Sequence, residues 1–541
     1  MAYLVLALSA FLALSGATAL RPGRRGLFAA LAFPVGWAAG ELAGQALVVE
    51  ALLIALLHWW GWPRTDGLGE AVIALAALVA AENLALVAIS FRSRSVVARA
   101  IEGAPDRALA LARPGEDRFG TWWRTALQFS PHPRGMEIHR DLAYGAHPRN
   151  RLDVWRLPDA GPGAPVVLYL HGGAWTFGDK REQGRPMLHE FVAQGWVAVT
   201  PNYRLAPRDP WPAPMQDAVA ALAWVKGEIA RYGGDPERVV VAGGSAGGHL
   251  AALVGLAGAD PAWRPAGVGD ELDLAVRAVL SYYGVLEMTG DEDHWHGLGE
   301  GLVRLLEHRV VQLPYAGHED LYRSISPMER IGRDAPTFLV VQGTNDTLVD
   351  YRVARGFVAR FRASAFAPCY HVELPFTQHA FDVTASPRTS ATTRAALAVA
   401  TAAVATREPT PPALAASYQV PPTVLEVDLA GRYVGALEAA SVLGPYVVVT
   451  PDNPRSVPTP PEVNARRRAE MAGSLAGLGL VAHPTRASDP TGAWPSEEGF
   501  ALSGLGPREA TALSRAWGQY AYYEVTGEGV AVRDAATGAR L

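Results

Sequence analysis

The stretch Arg238-Val239-Val240-Val241-Ala242-Gly243-Gly244-Ser245-Ala246-Gly247-Gly248-His249-Leu250-Ala251-Ala252-Leu253 passes from a β-branched apolar run, through a glycine-flanked serine, into an Ala/Leu-rich segment. Its spacing predicts a buried strand, a sharp turn and a helix, with the serine oxygen raised above the edge of a sheet. Gly243 and Gly247 permit the strained backbone and close approach that such a nucleophile elbow demands. In a chain with 55 glycines the bare G-x-S-x-G pattern arises readily by chance. Its place at a strand-to-helix junction is what gives it meaning.

Similar apolar runs flank this one at Pro165 to Leu170, Val197 to Thr200, Ala278 to Ser281 and Phe338 to Val341, and Tyr370 to Leu374 reads as a further strand. Helical segments such as Met215 to Ile229 lie between them. Runs without polar alternation are those of strands covered on both faces, so the expected fold is α/β, a doubly wound and mostly parallel sheet.

A serine hydrolase site on such a sheet needs an acid and then a base, each just past a later strand. Asp346, in Gly343-Thr344-Asn345-Asp346, and His379, in Thr377-Gln378-His379-Ala380, meet that demand. His379 would take the Ser245 proton and Asp346 would fix the imidazole tautomer. Asp350 and Asp382 stand as weaker candidates for the acid, expected as solvated loop charges. Upstream, Leu170-His171-Gly172-Gly173-Ala174-Trp175 closes a strand. The N–H groups of Gly172 and Gly173, with that of Ala246, are the expected oxyanion hole. His171 reads as structural.

Together with Tyr203-Arg204-Leu205-Ala206-Pro207, Asp217 and Ser326-Pro327, these residues resemble the hormone-sensitive-lipase-like, or esterase and arylacetamide-deacetylase-like, group of α/β-hydrolases over residues 140 to 400. The resemblance implies carboxylic-ester hydrolysis through an acyl-enzyme, no metal or organic cofactor, and a cap. Residues 91 to 140 and the insertion Met288 to Ser324 are expected to supply that cap. His294-Trp295-His296, with Asp291 and Asp293 nearby, invites a metal reading. Further ligands at the right spacing are missing, so cap surface is expected there.

The N-terminal part is of another kind. Residues 2 to 20 form an uncharged apolar run, 26 to 62 are apolar around Pro34, Glu41 and Glu50, and Ala71 to Ser90 carry only Glu82. No positive segment precedes the first run, which argues against a signal peptide. The reading is three transmembrane helices, with Arg21, Arg24 and Arg25 and the later Arg92, Arg94 and Arg99 on one side. The positive-inside rule then makes the catalytic domain cytoplasmic in a multi-pass protein of the bacterial inner membrane.

Composition narrows the partners. Of 541 residues 49% are hydrophobic and 19% charged, and the net charge is -5. That leaves no basic footprint for nucleic acid. The single cysteine, Cys369, excludes an intrachain disulfide framework. A Pro-rich linker spans 406 to 423. Beyond it, residues 424 to 541 read as a small α+β unit resembling an uncharacterised bacterial domain through Thr450-Pro451-Asp452-Asn453-Pro454, Glu462-Val463-Asn464, Trp494-Pro495-Ser496-Glu497-Glu498 and Gly518-Gln519-Tyr520-Ala521.

The expected organisation is therefore a membrane region (1–92), a hydrolase domain with cap (93–405), the linker and the tail unit. The expected function is a membrane-anchored serine esterase or lipase acting on small-molecule or lipid esters. The alternatives are a non-catalytic receptor or scaffold on the same fold, and an amidase or acyltransferase using the same three residues.

Overall fold

A computed structural model describes residues 2–23, 26–59, 67–101, 133–158, 161–265, 268–269, 272–296, 298–405, 424–453, 459–488, 496–535 and 540. Most of the first expected cap segment, the whole Pro-rich linker and Trp494 lie outside them. The described chain forms two compact units.

The larger unit opens with α1 (Ala2–Leu20), α2 (Gly26–Glu41), α3 (Ala43–Trp59) and α4 (Gly67–Ala100). There follow β1 (Glu137–Ala143), β2 (Arg151–Arg156), β3 (Ala164–Leu170), α5 (Arg185–Ala193), β4 (Val197–Pro201), α6 (Ala213–Glu228), β5 (Gly234–Gly244), α7 (Ala246–Ala257), β6 (Ala278–Tyr282), β7 (Thr337–Gly343), α8 (Tyr351–Ser364), β8 (Cys369–Leu374) and α9 (Pro387–Val404). The sheet order is β1-β2-β4-β3-β5-β6-β7-β8. β1 and β2 run antiparallel to their neighbours, whereas β4 with β3, β3 with β5, β5 with β6 and β7 with β8 are parallel. β4 and β6 are buried along their whole length, the physical reason their sequences lack polar alternation.

The N-terminal helices do not form three straight spans. Among the described residues one helix, Gly69–Ala100, is long and apolar enough to cross a membrane, and Ala7–Leu20 is a shorter apolar helix. The middle run bends by 76° between Ala32–Glu41 and Ala43–Leu56. Glu41 sits at the bend for a reason. Its carboxylate lies 2.8 Å from Arg388 of α9, and both side chains are buried. A charge that would be costly in hydrocarbon is thereby spent on the α/β core.

α4 also joins that core. Its buried residues Val72, Ala76, Val79, Asn83, Leu86, Ser90, Ser93 and Val97 recur at alternating steps of four and three, one stripe along the helix. The stripe ends at Val97 and Ile101, inside the cluster formed by Leu374, Phe381 and Val399.

The smaller unit is an antiparallel sheet of β9 (Val424–Leu429), β10 (Arg432–Gly435), β11 (Tyr446–Val449), β12 (Ala482–Ser488), β13 (Glu497–Ser503), β14 (Ala521–Thr526) and β15 (Gly529–Asp534), with helices α10 (Ala436–Leu443), α11 (Pro461–Gly477) and α12 (Pro507–Ala516). The strand order is β10-β9-β12-β13-β11-β14-β15. Alternation along β11 feeds two cores. Val447 and Val449 pack with Met471, Leu475 and Leu513, while Tyr446 and Val448 pack with Ala439 and Ala440.

Removing Glu41 alone would strand the buried Arg388 guanidinium. Glu41→Ala is expected to destabilise the larger unit by about 3 to 5 kcal/mol. Tm of the detergent-solubilised chain checks this, and the apolar pair Glu41→Leu with Arg388→Met is expected to recover most of the loss.

Candidate active site

β5 delivers Ser245 to the top of the sheet in a left-handed backbone, φ 56 and ψ -124. Strain of this kind costs on the order of 1 to 3 kcal/mol and persists only where surroundings enforce it. Here the Ser245 N–H donates to Tyr282 O at 2.9 Å, and its carbonyl accepts from His249 N at 3.0 Å as α7 begins. A Cβ at Gly247 would lie 2.0 Å from Leu170 O, so β3 and α7 close on each other only through a glycine.

The loops after β7 and β8 bring the other two groups. His379 Nε2 stands 2.8 Å from Ser245 Oγ, and His379 Nδ1 stands 2.7 Å from Asp346 Oδ2. Asp346 Oδ1 accepts from the N–H groups of Leu348 and Val349 at 2.9 and 2.8 Å, and Oδ2 accepts from Gln342 Nε2 at 2.9 Å. The carboxylate is thus held as an acceptor on every side, the state in which it orients an imidazole. Gln378 Oε1 ties the two loops together, accepting from Thr347 N and His379 N, each at 2.9 Å.

Near the serine, the oxyanion loop departs from expectation at one position. The Gly172 N–H donates to Gln183 Oε1 at 2.8 Å, so it is engaged in holding the loop. Gly173, at φ 120, and Ala246 carry no such bond among the described residues. The loop is braced from below. His171 stacks on Tyr203 at 4.3 Å, and Tyr203 Oη donates to His171 O at 2.7 Å. Burial pushes the His171 imidazole down to about 4, so it stays neutral. Arg204 grips Asp217 through its side chain at 2.8 and 3.0 Å and its backbone N–H at 2.8 Å. Lys180 and Asp153, both buried, pair at 2.7 Å beside the same loop.

Asp350 and Asp382, expected as solvated loop charges, are both buried. Asp350 pairs with Arg352 at 3.2 Å. Asp382 accepts from Tyr283 Oη, and the Tyr283 ring lies 4.6 Å from that of His379. Burial lifts the Asp382 carboxyl to about 6. His294 Nδ1 is 3.3 Å from Asp291, and among the described residues no group of three or more His, Cys, Asp or Glu gathers as a metal site would.

Sequence reasoning missed Gln183, Gln342, Gln378 and Tyr283. Three of them stand at or next to the end of a sheet strand or in the residue before His379, and that position is the signal they carried. A further neighbour, Phe33 of α2, meets the His379 ring edge-on at 5.9 Å. Nothing in its apolar run marked it.

Serine, imidazole and carboxylate in one hydrogen-bonded line form an arrangement able to add an alkoxide to a carbonyl. A family model described as BD-FAE matches residues 152–361, and one described as a protein of unknown function, DUF3293, matches 449–522. The probable carboxylic ester hydrolase LipM of Mycobacterium tuberculosis is 42% identical over 301 residues, 53% of this chain and 67% of LipM. Esterase LipQ of the same organism is 41% identical over 261 residues, covering 48% of this chain and 61% of LipQ. The solved structure of esterase B from Lactobacillus rhamnosis is similar at 23% identity and a TM-score of 0.40, over 49% of this chain and 86% of that one.

Asp382 yields a pH test. Its folded carboxyl titrates at about 6 against an ordinary 3.8, so its contribution to stability is whole below about pH 3.8 and is lost as pH rises through about 6. Asp382→Asn keeps an acceptor for Tyr283 and cannot ionise. The unfolding free energy of the variant minus that of the unsubstituted chain, from denaturant titration, is expected to grow between about pH 4 and 6 and then level, a gain on the order of 3 kcal/mol.

Proposed function

The chain belongs to the α/β-hydrolase family of serine carboxylic ester hydrolases to which LipM belongs, and we propose on that premise that it cleaves acyl esters through an acyl-enzyme on Ser245. The observation that carries this reading is the unbroken line from Ser245 Oγ through His379 to Asp346, at 2.8 and 2.7 Å.

In the proposed first half-reaction His379 Nε2 takes the Ser245 proton as Oγ adds to the ester carbonyl. Negative charge gathers on the carbonyl oxygen, facing the N–H groups of Gly173 and Ala246. Asp346, fixed by Gln342 and two backbone donors, stabilises the imidazolium. His379 then returns the proton to the departing alcohol. Water repeats the sequence on the acyl-enzyme and releases the acid, so one ester and one water give one alcohol and one acid.

Membrane attachment is part of the proposal. α4 supplies a 32-residue helix, about 48 Å long at the usual rise, against roughly 30 Å of hydrocarbon. Its basic end, Arg92, Arg94 and Arg99, lies beside the catalytic core, the side that the positive-inside rule assigns to the cytoplasm. Residues 93–405 would be the catalytic domain and 424–541 a separate unit.

Ser245→Ala is expected to lower kcat/KM for a short-chain aryl ester by about 10⁴-fold or more. His379→Ala is expected to cost about as much, and the two together little more than either, since they act as a unit. Steady-state assay of the full chain in detergent checks this; undiminished turnover in Ser245→Ala would end the reading.

A further inference from the structure

The N-terminal helices touch the catalytic loops themselves. Asn345, next to Asp346, donates through Nδ2 to Ala19 O at 2.7 Å and Leu20 O at 3.2 Å, the last residues of α1. Trp37 of α2 donates through Nε1 to Ala380 O at 3.0 Å, beside His379. Phe33, one turn earlier, meets the His379 ring.

The level at which this happens can be read from the helices. A Cβ at Gly16 would lie against Glu82, and Ala19 and Leu20 pack with Leu86 and Val87. α1 and α4 therefore run parallel, with Leu20 at the height of Leu86. Their apolar character ends within about two turns of each other: Arg21 follows Leu20 directly, and Arg92 comes six residues after Leu86. Outward-facing Phe11 and Leu14 of α1 and Leu84 of α4 stop just short of this line. Basic residues flanking an apolar helix mark the edge of the hydrocarbon. Asn345 is bonded to the backbone at that edge.

The loops that carry the site's chemistry also expose large apolar side chains. Phe177 is 62% exposed and lies against Gly173, Leu348 is 41% exposed two residues past Asp346, and Phe376 and Val383, at 40% and 41%, flank His379 in sequence. Scattered single apolar residues on a surface mean little. Four on the three loops of one site, next to helix ends at the hydrocarbon edge, have a common solvent.

We propose that the mouth of the site lies on the hydrocarbon-water boundary of a lipid bilayer, with Phe177, Leu348, Phe376 and Val383 in contact with acyl chains. The substrate class is then an ester of a long acyl chain already resident in the bilayer. It presents its carbonyl to Ser245 without its chain crossing water. The docking surface rests on the membrane attachment proposed above, and the substrate class on the hydrolytic reading.

The test uses the full chain in phosphatidylcholine vesicles. Val383→Cys and, separately, Phe177→Cys are labelled with a nitroxide, and relaxation by oxygen is compared with relaxation by a water-soluble nickel chelate. The single native Cys369 is buried, and labelling of the unsubstituted chain measures its background. At both positions oxygen is expected to dominate. Dominance by the nickel chelate would overturn the proposal, and so would exclusion of both reagents, the result of a face covered by a second copy. Repeating the measurement on Ser245→Ala separates the two readings, because the docking result must survive loss of turnover. In kinetics, Leu348→Ser with Val383→Ser is expected to lower kcat/KM for a long-chain ester in vesicles about tenfold more than for a water-soluble acetate ester, the worth of roughly two partly buried apolar side chains. Equal effects on both esters would remove the assigned substrate class.

Discussion

The left-handed turn at Ser245 is the constraint on which the larger unit is arranged. A serine at φ 56 is held there only because its N–H is bonded to Tyr282 and because β3 and α7 close over Gly247. Those contacts need β3, β5 and β6 side by side and in register, and the parallel core of the sheet supplies that register. Once the turn is set, the serine oxygen projects at the carboxyl ends of the strands. The loops after β7 and β8 then have one place to bring acid and base. Gln342 and Gln378 convert approximate proximity into fixed geometry, one holding the Asp346 carboxylate and the other linking the two loops.

The apolar N-terminus enters this arrangement as a structural partner. A plain anchor would be joined to the enzyme by a tether. Here α4 carries a single buried stripe from Val72 to Val97 and delivers its end into the core between β8 and α9. The Glu41 and Arg388 pair, buried on both sides, fixes the bend between α2 and α3 to the same helix α9. Burying two charges yields little net stability compared with apolar packing, but it specifies one arrangement against others. Phe33 and Trp37 then reach the His379 loop.

Much of the site could be read in the sequence because its demands are local. A strand that must be buried on both faces shows as an unbroken apolar run, and an elbow that tolerates no side chain shows as glycine on either side of Ser245. Acid and base positions follow from chain order. What could not be read depends on contacts between distant segments. Gly172 was expected to leave its N–H free, and only the fold brings Gln183 within 2.8 Å of it. Asp382 was expected as a loop charge because it does not directly follow a strand, yet Tyr283, just past β6 and about a hundred residues away, comes to cover it. β1 escaped notice because it is the antiparallel edge strand and largely exposed, and β2, inside the sheet, carries a buried charge, Asp153, whose partner Lys180 is distant in sequence. The burial of Glu41 at the bend could not be read either, because its partner, Arg388, lies in α9.

The central claim is that Ser245 becomes the acyl carrier. The most direct measurement is to treat the full chain in detergent with a fluorophosphonate and locate the adduct by peptide mass. The account predicts one adduct per chain, on the peptide containing Ser245, abolished when His379 is replaced by Ala. Absence of labelling in the folded chain, or an adduct on another serine, would contradict it.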